Sequence, residues 1–142
     1  CTRDRDLLPF SAHLKKFPAA DIGVLHCPPH DSNLDLLYDG RNHAGSKSVK
    51  AFIYERQPSM FLSLHGDIHQ APAVNGGIYA QYIGRCLAVQ PGQEQGSRLH
   101  AVTIEIDEQK KAVTRLSHTV YGEYKGLKQF PIKRMKKGVG RG

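Results

Sequence analysis

No stretch of this sequence approaches the roughly 18–20 consecutive apolar residues that a membrane-spanning helix requires, and no apolar core of a secretory signal stands near its start. A membrane partner is therefore not expected. Cysteine is scarce: Cys1, Cys27 and Cys86 are scattered, with no CxxC pair. An odd number at wide spacing argues against a disulfide framework, so the expected setting is reducing, hence intracellular and cytoplasmic. Cys27 follows His26 and reads either as a small half-buried thiol or as a metal ligand. Acidic residues are missing from one region only. Residues 1–124 hold 13 Lys/Arg and 13 Asp/Glu, whereas Lys125, Lys128, Lys133, Arg134, Lys136, Lys137 and Arg141 stand in 125–142 without an acid. The whole +7 excess lies there. This basic, flexible tail reads either as a solvated end or as a weak contact to nucleic acid. Interleaved aromatics, zinc-finger spacing and a recognition-helix signature are all lacking, so nothing else favours a nucleic-acid reader. No internal repeat is visible.

What is present is one domain's worth of chain. With 142 residues, 39% of them hydrophobic and 23% charged, the composition is that of an ordinary globular domain with a real core. Phe10, Leu14 and Phe17 fall at helical spacing before Pro18, which predicts a short first helix. Ile22-Gly23-Val24-Leu25 reads as a buried strand. Ser46 reads as an N-cap, and Val49, Phe52 and Ile53 form an apolar stripe, which predicts a helix over 47–56 ended by Pro58. Met60 to Leu64 reads as a second buried strand. Strand, helix and strand in that order predict a right-handed βαβ crossover with parallel strands. Residues 71–77 read as a Pro/Asn/Gly loop. Short strands are expected at 78–83 and 86–89, then a hairpin with strands near 99–106 and 113–116 that closes the folded domain by 121–124.

The polar groups sit where the two parallel strands end. Leu62-Ser63-Leu64-His65-Gly66-Asp67-Ile68-His69-Gln70 places two imidazoles and a carboxylate within five residues. Such groups suit a divalent cation such as Zn, Mn or Fe. The bland alternative is a strand-end cluster of hydrogen-bonding residues. The first strand delivers His26-Cys27-Pro28-Pro29-His30 on a loop stiffened by two prolines. The crossover sets both histidine-bearing turns at one edge of one sheet, where open α/β sheets place their binding sites. The long loop 31–45 and the turn at Asn75-Gly76-Gly77 are expected to shape a pocket.

Taken in order, His26-Cys27-Pro28-Pro29, Gly45-Ser46-Lys47, Leu64-His65-Gly66-Asp67-Ile68-His69-Gln70 and Val89-Gln90-Pro91-Gly92-Gln93 resemble the C-terminal half of a calcineurin-like metallophosphoesterase domain. The resemblance covers about residues 20–122. It implies part of a four-layer α/β/β/α sandwich with mixed sheets and, in the intact domain, two divalent metal ions (Mn, Fe or Zn). It further implies that His26 and the motif's first position, Asp67, bind the second metal and that His69 binds the first. The family usually has His where this chain has Asp67. His65, His30 and Asn75 are expected around the ligands or in the pocket. Asp67-Ile68-His69 also has the form of the family's opening Asp-x-His motif, but no second Gly-Asp and no Gly-Asn-His follows, and His26 would be left unexplained.

On this resemblance the chain carries half of an active site. The expectation is a metal-dependent phosphate-ester hydrolase, a phosphatase or phosphodiesterase, of which this chain supplies only part of the dinuclear site and is inactive alone. No catalytic proton donor is assigned. The chain begins with Cys1, and the expectation is a C-terminal fragment of a longer enzyme or one chain of a split one. The partners expected are the phosphate-ester substrate and the missing N-terminal segment or another chain. The alternative is a non-catalytic metal-binding or scaffolding module that has kept the fold. If the N-terminal sheet is absent, either the 22–25 strand or the Val102/Ile104/Ile106 face should lack a partner.

Overall fold

The computed structural model describes residues 8–93, 98–121 and 128–130. The chain forms a mixed α/β fold, a four-stranded mixed sheet with a parallel core beside a long antiparallel hairpin. After helix α1 (Leu8–Lys15) come β1 (Ile22–Leu25), α2 (Lys47–Glu55) and β2 (Leu62–His65). The two strands run parallel in the register Ile22↔Leu62 to Leu25↔His65, the crossover expected from the sequence. A short helix α3 (Ala71–Val74) occupies what reads as loop, with Pro72 in its first turn, where a proline's missing N–H costs nothing. Strands β3 (Ala80–Ile83) and β4 (Cys86–Val89) form a tight hairpin, and β4 pairs parallel to β2. The sheet order is therefore β1-β2-β4-β3.

Helix α2 starts as its sequence dictates. The Ser46 hydroxyl accepts the Val49 N–H at 3.2 Å, and Val49, Phe52 and Ile53 are all buried. Each such side chain contributes about 1.5–3 kcal/mol by leaving water. They pack with Leu14, Leu34, Met60, Ile83, Cys86 and Ala88 on one face of the sheet. The other face carries Leu62, Leu87 and Val89, which meet Leu116 and the partly buried Val102, Ile104, Ile106 and Val113. Alternation along β4 divides the two cores, Cys86 and Ala88 to one side, Leu87 and Val89 to the other.

The second core is closed by β5 (Leu99–Asp107) and β6 (Ala112–Tyr121), with a bulge between Glu105 and Ile106. Within the stretch expected to be a basic tail, β7 (Lys128–Phe130) pairs with β6. The rest of the tail, 125–127 and 131–142, lies outside the described residues. Of the two surfaces expected to be open, the Val102/Ile104/Ile106 face is covered by the sheet. Among the described residues, strand β1 is a sheet edge, with Val24 80% and Ile22 40% exposed. Parallel strands normally lie between neighbours and under cover on both faces. Among the described residues, no helix is long and apolar enough to cross a membrane.

Candidate functional site

Because β1 and β2 are parallel neighbours, the segments that follow them emerge side by side. The Gly66 N–H donates to the His26 carbonyl at 2.9 Å and fastens the two turns. Asp67 then takes a left-handed backbone, φ +67°. That conformation is costly for most residues and least so for Asn and Asp, and in folded proteins such outliers concentrate at functional sites. The left-handed turn accompanies a close approach of the two loops: Asp67 Oδ1 lies 3.6 Å from His26 Nε2. The His26 side chain is 83% exposed and that of Asp67 only 20%. Asp67 Oδ2 also lies 3.3 Å from the Cys27 sulfur. Cys27 is disulfide-bonded in this structure, so neither the half-buried thiol nor the metal ligand expected at this position, nor the expected lack of disulfides, holds. Cys86 is the buried free thiol, and burial pushes its pKa up.

His65 is the strut beneath this pair. It is 6% exposed. Its Nδ1 lies 2.8 Å from the Cys27 carbonyl and its Nε2 2.9 Å from the Ser63 hydroxyl. A carbonyl can only accept, so Nδ1 carries the proton and Nε2 accepts from Ser63. Burial lowers the His65 pKa to about 4, against the opposing pull of its backbone partners. The ring is neutral at neutral pH with both nitrogens used, so it orients the His26–Cys27 turn and has no lone pair left for a metal.

His69 follows the same turn. Its N–H donates to the Asp67 carbonyl at 3.1 Å, and its own carbonyl accepts the Gln93 N–H at 2.9 Å. Asp67 and His69 line a cleft of about 230 Å³ with Gly66, Gln90, Pro91 and His100. The structure thus brings His26 to Asp67 and sets His69 on the same cleft as Asp67. Among the described residues it gathers no group of three or more His, Cys, Asp or Glu side chains fit to hold a metal ion. The donor types suit a divalent cation, but a complete metal centre is not formed by these residues alone.

The other two expected pocket residues have structural work. The His30 ring packs edge-on to His43, 6.0 Å between centroids, and its Nδ1 lies 3.6 Å from Asp35 Oδ2. Asn75 spends its amide on the Asn33 carbonyl at 2.5 Å and the Ile78 carbonyl at 2.8 Å, and its oxygen on the Ile78 N–H at 2.8 Å. It pins loop 31–45 to the turn after α3.

The organising residue of that loop, Asp35, is one that sequence reasoning passed over. It is fully buried. It accepts N–H groups from Asp31 at 3.0 Å, Ser32 at 2.9 Å and Gly45 at 3.0 Å, and it holds His43 Nδ1 at 2.6 Å. Gly45 is required there, since a Cβ would stand 2.7 Å from Asp35 Oδ2 and from the Pro28 carbonyl. The signal in the sequence was an Asp among Asn and Ser residues followed by a glycine ten positions on, a pattern common to many loops. Gln90 and His100, which border the cleft, were likewise not singled out; they come from β4's end and from β5, and only the fold brings them beside His69.

Comparison with known proteins adds no relative: no protein-family model, no curated protein and no solved structure matches the chain.

Proposed function

We infer that this chain carries part of a metal-dependent phosphate-ester hydrolase site, with His26, Asp67 and His69 as its contribution. The observation that supports this most strongly is the 3.6 Å approach of His26 Nε2 and Asp67 Oδ1 at the ends of neighbouring parallel strands, with Asp67 in a left-handed turn. A histidine and a carboxylate at that separation can share one divalent cation, and the neutral His65 beneath them holds the first of the two loops in place. The cofactors on this reading are Mn, Fe or Zn, two in the intact domain, and the architecture is part of a four-layer α/β/β/α metallophosphoesterase sandwich. The remaining ligands come from outside the described residues, from another segment or another chain. Among the described residues the β1 edge is open directly beside the exposed His26, where a completing segment or chain would meet both the sheet and the site.

A second reading, a non-catalytic metal-binding or scaffolding module, draws support from the absence of any complete metal-holding group among the described residues. Elemental analysis of the native protein, paired with Mn-dependent hydrolysis of a generic aryl phosphate ester, separates the two. Metal with turnover that falls on substitution of His26 or His69 supports the hydrolase. Bound metal without turnover, even after the ligand-completing partner is supplied, supports the module.

A further inference from the structure

A sulfur stands against the same carboxylate as His26. The Cys27 sulfur lies 3.3 Å from Asp67 Oδ2, while His26 Nε2 lies 3.6 Å from Asp67 Oδ1. An imidazole and a sulfur thus approach the two oxygens of one side chain. The backbone beneath them is pinned by bonds that do not involve the disulfide. The His65 Nδ1–H donates to the Cys27 carbonyl at 2.8 Å, and the Gly66 N–H donates to the His26 carbonyl at 2.9 Å. Breaking the disulfide leaves both anchors in place, so the sulfur stays beside Asp67. Cys27 is half-buried and the His26 side chain is 83% exposed, so the pair is open to solvent on the His26 side.

The oxidation state of that sulfur decides what it can do. A disulfide sulfur has no proton to lose, and the thiolate is the form that binds a metal. In the oxidised chain the cluster offers an imidazole and a carboxylate, and no three-donor group stands among the described residues. In the reduced chain it offers nitrogen, oxygen and sulfur. On a tetrahedral Zn²⁺, with bonds of about 2.3 Å to sulfur and 2.0–2.2 Å to nitrogen and oxygen, sulfur and oxygen stand about 3.6 Å apart and nitrogen and oxygen about 3.4 Å. The observed separations of 3.3 Å and 3.6 Å are close to these values. A thiolate also selects a soft ion such as Zn²⁺ over a hard one such as Mn²⁺.

We propose that the Cys27 disulfide is a redox switch on the His26–Asp67 pair: once a dithiol has reduced it, the Cys27 sulfur joins His26 and Asp67 in holding Zn²⁺. This rests on the reading that His26 and Asp67 share a cation. The dithiol supplies two electrons and two protons. The protein S–S bond breaks into two thiols, and the dithiol closes into its own disulfide. As the ion binds, the Cys27 thiol gives its proton to solvent. The test is calorimetric titration of the full chain with Zn²⁺ and with Mn²⁺, oxidised and then reduced by a phosphine, which adds no competing thiol and leaves as the phosphine oxide with an oxygen from water. Reduction should tighten Zn²⁺ binding about tenfold or more and change Mn²⁺ binding by less than about threefold. Co²⁺ in place of Zn²⁺ should show sulfur-to-metal charge-transfer absorption in the reduced chain only. Cys27→Ser should lose both the gain and the absorption. Their persistence in that variant would overturn the proposal, because the ion would then sit on another sulfur. Equal Zn²⁺ affinity in both states, still lost in His26→Ala, would overturn the switch and leave the shared-cation reading standing. No Zn²⁺ or Mn²⁺ binding in either state would overturn that reading and the switch with it.

Discussion

Two carboxylates on the same edge of the sheet, Asp35 and Asp67, each face histidines, and they do opposite things. Asp35 is fully buried, takes three backbone N–H groups and grips His43 at 2.6 Å. Asp67 has a partly exposed side chain on a left-handed residue, and its nearest imidazole, His26, stands 3.6 Å off and is almost wholly in solvent. The first arrangement spends its acceptor capacity on folding a long loop. The second holds a carboxylate and an imidazole at a spacing too long for a hydrogen bond and short enough to share a cation. A pair of oppositely ionisable groups is therefore not in itself a site; its burial and spacing decide what it can do.

The sharpest way to break this comparison is to remove each carboxylate. Asp35→Ala should cost about 3–5 kcal/mol, since it strands buried donors in the loop. Asp67→Asn, which keeps a residue that tolerates positive φ, should stay within about 0.5 kcal/mol. Urea unfolding of the two variants reads both numbers, and equal losses would erase the distinction.

A second expectation concerns acid. The folded-state pKa of His65 is lowered from 6.5 to about 4 by burial. Between those values the unfolded chain binds a proton that the folded chain refuses, so stability is complete above pH 6.5 and falls as the pH drops towards 4. The loss from this group is roughly 3 kcal/mol. Urea midpoints measured across that range should slope downward for the native chain and noticeably less for His65→Gln; identical slopes would mean that His65 is not the buried neutral strut described.

Asn75→Ala comes next, at about 1–2 kcal/mol, because it releases two carbonyls and one N–H at a partly exposed turn. The smallest effect is at the other pole of the comparison. His26→Ala should leave the unfolding midpoint unchanged within about 0.5 kcal/mol while altering metal binding.

How much of this was legible in the sequence follows from the range of the interactions. The βαβ unit was readable because its signals are local: a serine cap, an apolar stripe at helical spacing, two short apolar runs. From that unit alone, the meeting of His26 with the Asp67 turn could be expected, and the structure places them together. The first turn of α3 was lost behind the loop-like residues Pro72 and Asn75. Asp35 was missed because three of its partners are backbone N–H groups, which leave no mark in side-chain patterns. Gln90 and His100 were missed because they reach the cleft from different strands. Asn75 looked like a pocket residue because an Asn-Gly-Gly turn reads the same whether its amide faces a ligand or its own backbone.

The measurement that bears most directly on the shared His26–Asp67–His69 contribution is calorimetric titration of the full chain with Mn²⁺, set beside the His26→Ala/His69→Ala double variant. The account predicts weak binding to the native chain, abolished in the double variant whose fold is intact by circular dichroism, and no aryl phosphate turnover by the chain alone. Equal Mn²⁺ binding by both proteins would contradict it, because the metal would then be held by groups other than those that the two parallel strands bring together.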